Sequence, residues 1–313
     1  MNRQKYDAYL SSVPTMINKK EFLSTNELFI DWFSVCCDSR LKDETLHSWI
    51  SRSVKAQSKK GQEWRCSNLW EGFQKYYWKT TNPFNGKQIT SFQDSEDCLL
   101  QLQYMLLESL NKEDSVKLAE SIEKVLIWGG VNQRPKIASD LRSLYQDGDA
   151  LLAYVTDAIK YLTENMASID SCSPFRNDFP VLQVDSGTTK VFSLLVENFI
   201  IYDSRVGAAL GILVAKWLSN TNFECVPNDL LFSWSPGSVS TPRDPNIFLL
   251  EKTNRFPRIS NNVERIAINI KASWICEEAI NRLDDKSGFK ALTRSQAIRA
   301  LEASLFMLGY ATS

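Results

Sequence analysis

The 313-residue sequence contains a single histidine, His47, and this scarcity excludes several kinds of catalytic site. A metal site built on several histidines is impossible, and a Ser-His-Asp triad would have to use His47. We expect His47 to be structural, because it lies in the helix-like run DETLHSWI. Neither GxxxxGKS/T nor GxGxxG occurs in the chain, so these glycine-rich phosphate-binding loops are excluded as well.

The sequence also lacks any CxxC pair among its seven cysteines. Their spacings fit neither a zinc site nor a four-cysteine iron–sulfur cluster. We therefore expect reduced thiols, most of them buried, in a protein that needs no metal and no cofactor.

Long apolar runs are missing too. The longest, over 206–218, is interrupted by Lys216 and is too short to cross a bilayer. The beginning of the chain, MNRQKYDAYL, has no apolar core, so we expect no secretory signal. These features predict a soluble, cytoplasmic protein with no membrane partner, and we expect it to be a monomer.

Helical periodicity dominates the rest of the chain, and it predicts a mainly all-α fold. The region 171–185, with two prolines, is predicted as a loop. The strongest candidate boundary lies near 85–95, which predicts an N-terminal helical region over 1–90 and a second helical region over 91–313. Helices are predicted over 26–37, 43–54, 98–110, 114–127, 151–162, 188–196, 204–217, 261–283 and 293–308.

Net charge is only -1, so a nucleic-acid surface would have to be a local patch. Residues 52–87 carry eight Lys or Arg against two Glu, together with seven aromatic residues. Cations neutralise phosphates and aromatics stack on bases, whereas the alternative is an amphipathic helix with a solvated basic face and an aromatic core face. A second basic segment, 243–271, offers Arg255 and Arg258 as DNA-backbone contacts.

The stretch 185–217 carries the strongest chemical signal. Thr188 or Thr189 can cap a helix that contains Lys190, and Asp203 directly precedes an almost uncharged helical segment. A carboxylate at such an N-cap accepts backbone N–H groups and stays ionised. A lysine partly desolvated by the same core has a lowered pKa and can attack a sugar carbon as a neutral amine. These two groups are what cleavage of an N-glycosidic bond requires.

The runs Thr189-Lys190-Val191 and Tyr202-Asp203-Ser204-Arg205-Val206 resemble the helix-hairpin-helix DNA glycosylase superfamily, and look closest to bacterial proteins similar to 8-oxoguanine DNA glycosylase. The resemblance implies two helical lobes around a glycosylase core, with a helix-hairpin-helix-like segment over 180–218. It implies that Lys190 forms a Schiff base with deoxyribose and can drive strand cleavage, and that Asp203 assists departure of the base. The implied partner is double-stranded DNA with a modified base, flipped into a pocket between the lobes.

Further contacts to DNA or to the base are expected from residues near these motifs. In place of the Gly-x-Gly usual in such hairpins the chain has Ser186-Gly187-Thr188, so the base cannot be carried over from 8-oxoguanine. The biological use is open between base-excision repair and defence against phage DNA with hypermodified bases. The DNA- or base-binding candidates are Trp128, Gly129, Thr188, Thr189, Tyr202, Arg205, Arg255, Arg258 and Trp274.

Two other functions fit the same residues. A non-catalytic DNA-binding module on a glycosylase fold would keep the helices and basic patches without turnover. A helical protein–protein adaptor would use Asp203 as an ordinary N-cap and Lys190 as a surface lysine. Arg205 could equally pair with Asp203, contact phosphate or be exposed.

Overall fold

The fold is mainly helical, as the periodicity predicts. The computed structural model describes residues 17–38, 45–131, 148–169, 182, 184–239, 241–249, 254–259 and 262–312. None of the described helices is both long and apolar enough to span a membrane. The ten described helices are α1 (Lys19–Thr25), α2 (Glu27–Cys36), α3 (Leu69–Gln74), α4 (Phe92–Asn111), α5 (Ser115–Trp128), α6 (Gly148–Ala167), α7 (Thr188–Leu195), α8 (Ser204–Ser219), α9 (Asn262–Arg282) and α10 (Arg294–Leu308).

The strands in the described part of the chain are short and form three antiparallel pairs, in which the first pairs with the sixth, the second with the third and the fourth with the fifth. The predicted loop over 171–185 lies for its greater part outside the described residues, as does Cys172. The strands are β1 (Ile17–Asn18), β2 (His47–Ile50), β3 (Glu63–Cys66), β4 (Thr80–Thr81), β5 (Gln88–Ile89) and β6 (Ser168–Ile169).

The helix predicted over 43–54 is wrong, because residues His47–Ile50 form strand β2. Burial alternates along this strand: His47 and Trp49 are buried and Ile50 is exposed. The Trp49 ring stacks on Trp64 of β3 at 5.4 Å with an interplanar angle of 12°, a cross-strand pair that favours the hairpin over a helix. His47 is structural: its Nε2 lies 2.9 Å from the carbonyl oxygen of Ala311, and burial lowers its pKa to about 4.

The basic and aromatic segment 52–87 is not one helix either, since only Leu69–Gln74 is helical within it. Trp64 is buried while Lys59, Lys60 and Arg65 are exposed. The single amphipathic helix of that alternative is therefore absent from the described segment, where two hairpins and one short helix place Trp64 in the core and these three cations at the surface.

Helices α4 and α5 pack against each other and against α7. Helix α4 buries Leu99, Leu102 and Leu106 at helical spacing. Helix α5 begins at an Asp114 cap, whose side chain accepts the N–H of Lys117, and ends at Trp128. Gly130 follows the C-cap residue Gly129 and has φ +65°, a left-handed conformation that ends the helix.

Helix α8 is the centre of the core, with residues from Val206 to Leu218 buried on nearly every face. Its lack of charge predicts this burial. The end of α10 packs tightly on the beginning of α8. A Cβ on Gly309 would lie 1.9 Å from the backbone oxygen of Arg205. A Cβ on Gly207 would likewise lie 2.3 Å from the backbone oxygen of Ser233. Glycine is therefore required where neighbouring backbones approach α8.

The start of α7 is capped differently from the sequence prediction, which chose Thr188 or Thr189. Gly187 occupies the N-cap position and the helix begins at Thr188. The side chain of Asp185 supplies the missing acceptor, taking the N–H groups of Gly187 at 2.7 Å and Thr188 at 3.0 Å. The predicted caps are wrong because a carboxylate just upstream satisfies the first turn instead.

The connection from α7 to α8 is held rigidly by side chains from elsewhere in the core. The N–H of Ile201 donates to Glu302 Oε2 at 2.7 Å, and the N–H of Tyr202 donates to Thr189 Oγ1 at 3.1 Å. Because both bonds are buried, they fix the backbone immediately before Asp203.

Candidate active site

Lys190 lies in the first turn of α7, and its side chain is nearly enclosed, with 7% of the residue exposed. Its Nζ donates a hydrogen bond to the backbone oxygen of Ser186. Burial lowers the pKa of Lys190, and the charge of Asp203 opposes this only in part. The folded protein therefore makes the neutral amine more accessible than on an exposed lysine.

Gly129 provides the space in which this side chain lies. A Cβ built on Gly129 would be 2.5 Å from Cδ and 2.8 Å from Cε of Lys190. Its φ of -70° is one that any residue adopts, so the constraint here is steric contact with the lysine. The end of α5 thus confines the chain of Lys190 from the side opposite α7.

Asp203 is the N-cap residue of α8, as the sequence predicts. Its Oδ1 accepts the N–H groups of Arg205 at 2.8 Å and Val206 at 3.2 Å, and its Oδ2 lies 3.7 Å from Nη1 of Arg205. Burial by itself raises the pKa of the carboxyl, but Arg205, Lys190 and the two backbone N–H groups outweigh it and leave the pKa lowered. Asp203 is therefore a buried, ionised carboxylate on a rigid element.

Two spaces meet at the side chain of Lys190. The first, which we call the polar groove, has a volume of about 330 Å³. The second, the aromatic cavity, has a volume of about 60 Å³, which holds a few water molecules. The polar groove is lined by Asp185, Ser186, Lys190, Asp203, Arg243 and Arg265 among others. The aromatic cavity is lined by Lys190 together with Tyr76, Trp78, Phe92, Trp128 and Phe306, and by the polar residues Ser95, Glu96, Arg299 and Glu302.

Two arginines give the polar groove its positive charge. Arg243 donates from Nη1 to Ser204 Oγ at 3.0 Å and from Nε to the backbone oxygen of Tyr310 at 3.1 Å. The Nε of Arg265 is buried and has no hydrogen-bond partner among the described residues. Both arginines belong to the basic segment 243–271, but no local pattern singles them out, because only the fold brings them beside Asp203.

Arg205 is mostly buried, and its guanidinium lies over the rings of Trp78 at 4.2 Å and Phe306 at 4.4 Å. Burial lowers its pKa to about 10, and Asp203 counteracts the shift. Of the alternatives considered from sequence, pairing with Asp203 is the one present here. Arg205 therefore links the aspartate to the wall of the aromatic cavity.

Trp128 and Gly129, proposed from the sequence, both line the aromatic cavity. The indole Nε1 of Trp128 donates to Ser95 Oγ at 3.1 Å, which fixes the orientation of the ring. The remaining walls, from 76–92 and 299–306, were not proposed as part of a site. The aromatic residues of 52–87 are the sequence feature that indicated part of these walls, namely Tyr76 and Trp78.

Thr188, Thr189 and Tyr202 support the site from within the core. Thr188 Oγ1 accepts the N–H of Asp185 at 2.9 Å. Thr189 is fully buried and donates from Oγ1 to Asn269 at 2.9 Å. Tyr202 borders the polar groove, but its hydroxyl donates to the backbone oxygen of Ser233 at 2.7 Å and burial raises its pKa. Their hydrogen bonds hold α7 and the approach to α8.

The hairpin-like turn before α7 offers few free N–H groups. Those of Gly187 and Thr188 are both taken by the carboxylate of Asp185. Where the Gly-x-Gly sequence is replaced by Ser186-Gly187-Thr188, the N–H groups of Gly187 and Thr188 thus already have an acceptor within the protein.

The other three candidates lie away from both spaces. Trp274 is fully buried, donates from Nε1 to the backbone oxygen of Met166 at 2.7 Å and packs on Phe22. Arg255 is exposed and donates to the backbone oxygen of Asn246, while the guanidinium of Arg258 lies 5.5 Å from the ring centre of Trp234. None of the three lines the polar groove or the aromatic cavity.

Comparison with known proteins gives no relative from which a role could be transferred. The chain has no significant match to a protein-family model, to a curated protein or to a solved structure.

Proposed function

We propose that the protein is a DNA glycosylase that removes a modified base from double-stranded DNA. One observation supports this above the others: the buried Lys190 and the ionised Asp203 interact electrostatically and line the same polar groove, and Lys190 also borders the aromatic cavity. A nucleophile, an anion and a place for a flipped base are the parts that such a reaction needs.

The reaction assigns one role to each side chain. The neutral amine of Lys190 forms a bond to C1′ of the deoxyribose as the bond between C1′ and the base nitrogen breaks. The base leaves with that electron pair and takes up the proton that the newly bound amine releases. The carboxylate of Asp203 stabilises the positive charge that develops on the sugar. The nitrogen lone pair then forms the C1′=N bond as the C1′–O4′ bond breaks and O4′ takes up a proton from water, which gives a Schiff base on Lys190. Loss of a proton from C2′ with departure of the 3′ phosphate then cleaves the strand.

The polar groove is the side on which the DNA backbone would lie. Arg243 and Arg265 present cations beside Asp203, and the Nε of Arg265 lacks a partner among the described residues. Guanidinium groups bind phosphate oxygens strongly. We therefore assign the phosphates that flank the flipped nucleotide to these two arginines, and not to the turn at Gly187 and Thr188.

The aromatic cavity is the place for the base. At about 60 Å³ it is smaller than a nucleobase requires, so its aromatic side chains must move apart when a base enters. Trp78 and Phe306 are in edge contact, with ring centres 4.9 Å apart, and stacking on a base would replace that contact.

A second candidate function is a DNA-binding module without turnover. It is favoured by the structural duties of the same two residues, because Lys190 already donates to Ser186 and Asp203 already caps α8. Under this alternative, loss of either side chain would reduce stability and DNA affinity, and no base would be released.

The test is base release from duplex pools that carry oxidised, alkylated, deaminated or hypermodified bases, read by mass spectrometry. We expect one class to be released, with loss of release in Asp203→Asn and Lys190→Gln. Asparagine is a good N-cap, so the aspartate variant should still fold. The matched controls are Asp31→Asn and Lys112→Gln, both exposed and remote from the site. Full release by Asp203→Asn would refute the assignment, and salt-sensitive binding without release from any pool would favour the binding module.

A further inference from the structure

The aromatic cavity is lined by both aromatic rings and polar side chains, and polar groups are what distinguish planar rings that differ at their edges. Tyr76 and Phe92 meet edge-on with ring centres 6.0 Å apart, and Trp78 meets Phe306 at 4.9 Å. Such faces bind any base by stacking. Selection must therefore come from the polar groups in the lining.

Glu302 is a buried polar residue of this lining, with 8% of the residue exposed. Its Oε2 accepts the N–H of Ile201 at 2.7 Å and lies 3.2 Å from Nη1 of Arg299. Its Oε1 accepts no hydrogen bond from the described residues. One carboxylate oxygen is thus anchored, and the other is available to a ligand in the cavity.

Glu96 adds a second carboxylate from α4, with 4% of the residue exposed and no hydrogen bond or ion pair to the described residues. The neighbouring Ser95 already accepts from the indole of Trp128 at 3.1 Å. A buried carboxylate without donors is costly, and a ligand that supplies N–H groups would relieve that cost.

Arg299 and Lys190 are the cationic residues of this lining, and both already donate hydrogen bonds. Arg299 uses Nη2 to donate to the backbone oxygen of Ser193 at 2.6 Å, and Nη1 for Ser193 Oγ at 3.3 Å and Glu302. Lys190 donates to Ser186. Glu96 and Oε1 of Glu302 are therefore acceptors in this lining that receive no hydrogen bond from the described residues, whereas Arg299 is already engaged.

Building on the proposed function, we infer that the aromatic cavity accepts a flipped base with an exocyclic amino group and rejects bases whose matching edge carries carbonyl oxygens. The accepted class comprises modified cytosines, adenines and guanines. An amino group gives hydrogens to Glu302 and Glu96, whereas a carbonyl oxygen in the same position would face a carboxylate oxygen.

Binding to matched duplexes tests this choice without requiring turnover. The Asp203→Asn protein is titrated with duplexes that carry 5-hydroxymethylcytosine or 5-hydroxymethyluracil, 5-hydroxycytosine or 5-hydroxyuracil, and 8-oxoadenine or 8-oxohypoxanthine. We consider each pair in which at least one duplex binds more tightly than unmodified DNA. In such a pair, we expect the duplex whose base carries the amino group to bind at least about tenfold more tightly than the other. Equal affinities in all pairs, or tighter binding of the carbonyl member, overturn the inference.

Variants then locate the preference. Glu302→Gln, whose amide can present either a donor or an acceptor, should reduce the preference to less than about threefold. Glu96→Gln provides a second test if the anchor of Ile201 suffers in the first variant. Glu278→Gln, on the surface of α9, is the matched control and should leave the preference unchanged. If neither Glu302→Gln nor Glu96→Gln changed the preference for the amino base, these two carboxylates would not select the base, and the inference would be overturned.

Trapping with borohydride on a duplex that contains an abasic site separates this inference from the proposed function. That reaction needs Lys190 and no base. Trapping without an amino preference would overturn the inference and leave the glycosylase proposal standing. An amino preference without trapping or base release would support the cavity assignment and point to the binding module.

Discussion

Gly129 and Lys190 are in such close contact that an ideal Cβ on the glycine would lie 2.5 Å from Cδ of the lysine. The contact joins the end of α5 to the first turn of α7. It sets where the amine lies, because the backbone of Gly129 has an ordinary φ and would accept a side chain if the lysine were absent.

Gly129→Ala should therefore displace Lys190 and reduce activity much more than stability. A displacement of about 1 Å in a reacting group can cost on the order of 100-fold in rate. The measurement is single-turnover base release, with borohydride trapping to report on the amine itself and thermal unfolding to report on the fold.

The double variant is the control for this steric explanation. In a Lys190→Ala background, Gly129→Ala no longer meets the lysine side chain, and its remaining close neighbour is the backbone oxygen of Val125 at 3.3 Å, so the loss in the free energy of unfolding should be much smaller. A loss of stability of the same size in both backgrounds would show that the alanine disturbs α5 itself, and would contradict the proposed positioning role.

The pH dependence of the reaction should come from Lys190. Burial lowers its pKa, and the neutral amine is the nucleophile, so the rate should rise with pH and reach a plateau at a lower pH than an exposed lysine would give. Asp203 does not limit the rate at neutral pH, because Arg205 and Lys190 keep its pKa below the usual range despite burial.

Single-turnover rates between about pH 5 and about pH 10 check this assignment. In Asp203→Asn the charge that raises the pKa of Lys190 is gone, so the residual rate should plateau at a still lower pH. A rate that falls as pH rises, or a plateau that stays in place in the variant, would exclude Lys190 as the titrating group.

Arg205 should be important for stability as well as for the site. Its guanidinium lies over Trp78 and Phe306 and faces Asp203, and 17% of its side chain is exposed. Arg205→Gln removes the partner of a buried carboxylate, which typically costs about 3 kcal/mol. Denaturation by urea measures the loss in the free energy of unfolding.

Arg282→Gln is the matched control for Arg205→Gln. Arg282 pairs with Asp31 and Glu278 near the surface, and such pairs contribute about 1 kcal/mol or less. If the two variants were equally stable, the stacking and pairing of Arg205 would not contribute as argued.

The helices of this fold follow from local sequence, whereas the strands do not. Amphipathic spacing and an N-cap define α5, and a capping box of Thr293 and Gln296 starts α10 where the helix over 293–308 is predicted. Strand β2 has four residues, too few for periodicity to distinguish it from a helical turn. The stacking of Trp49 on Trp64 decides its conformation, and that contact spans 15 positions (64 - 49) of chain.

The residues of the candidate site likewise fall into those that a local motif predicts and those that only the fold brings together. Lys190 and Asp203 are 13 residues apart (203 - 190) on consecutive helices, so a local motif could propose both. The aromatic cavity is assembled from residues as distant as Tyr76 and Phe306, and nothing in either neighbourhood indicates the other. The cap at Asp185 was missed because the run 185–189 offers one carboxylate and three hydroxyl side chains, and the carboxylate is the one that accepts the first N–H groups.

Arg265 carries the last prediction, which concerns DNA affinity. Its Nε is buried, has no partner among the described residues and belongs to the lining of the polar groove. A phosphate bound there releases a counterion, so each such contact adds about one to the slope of log affinity against log salt concentration.

Arg265→Gln should therefore weaken binding to every duplex alike, and should reduce the salt slope by about 1. The preference between bases should stay unchanged, because Arg265 lines the polar groove and does not line the aromatic cavity. Lys112→Gln, an exposed cation on the far end of α4 that pairs with Glu108, should leave the slope as it is. If Arg265→Gln changed the base preference and left the salt slope intact, the prediction would be wrong. Arg265 would then contact the base, and the phosphates would be bound elsewhere.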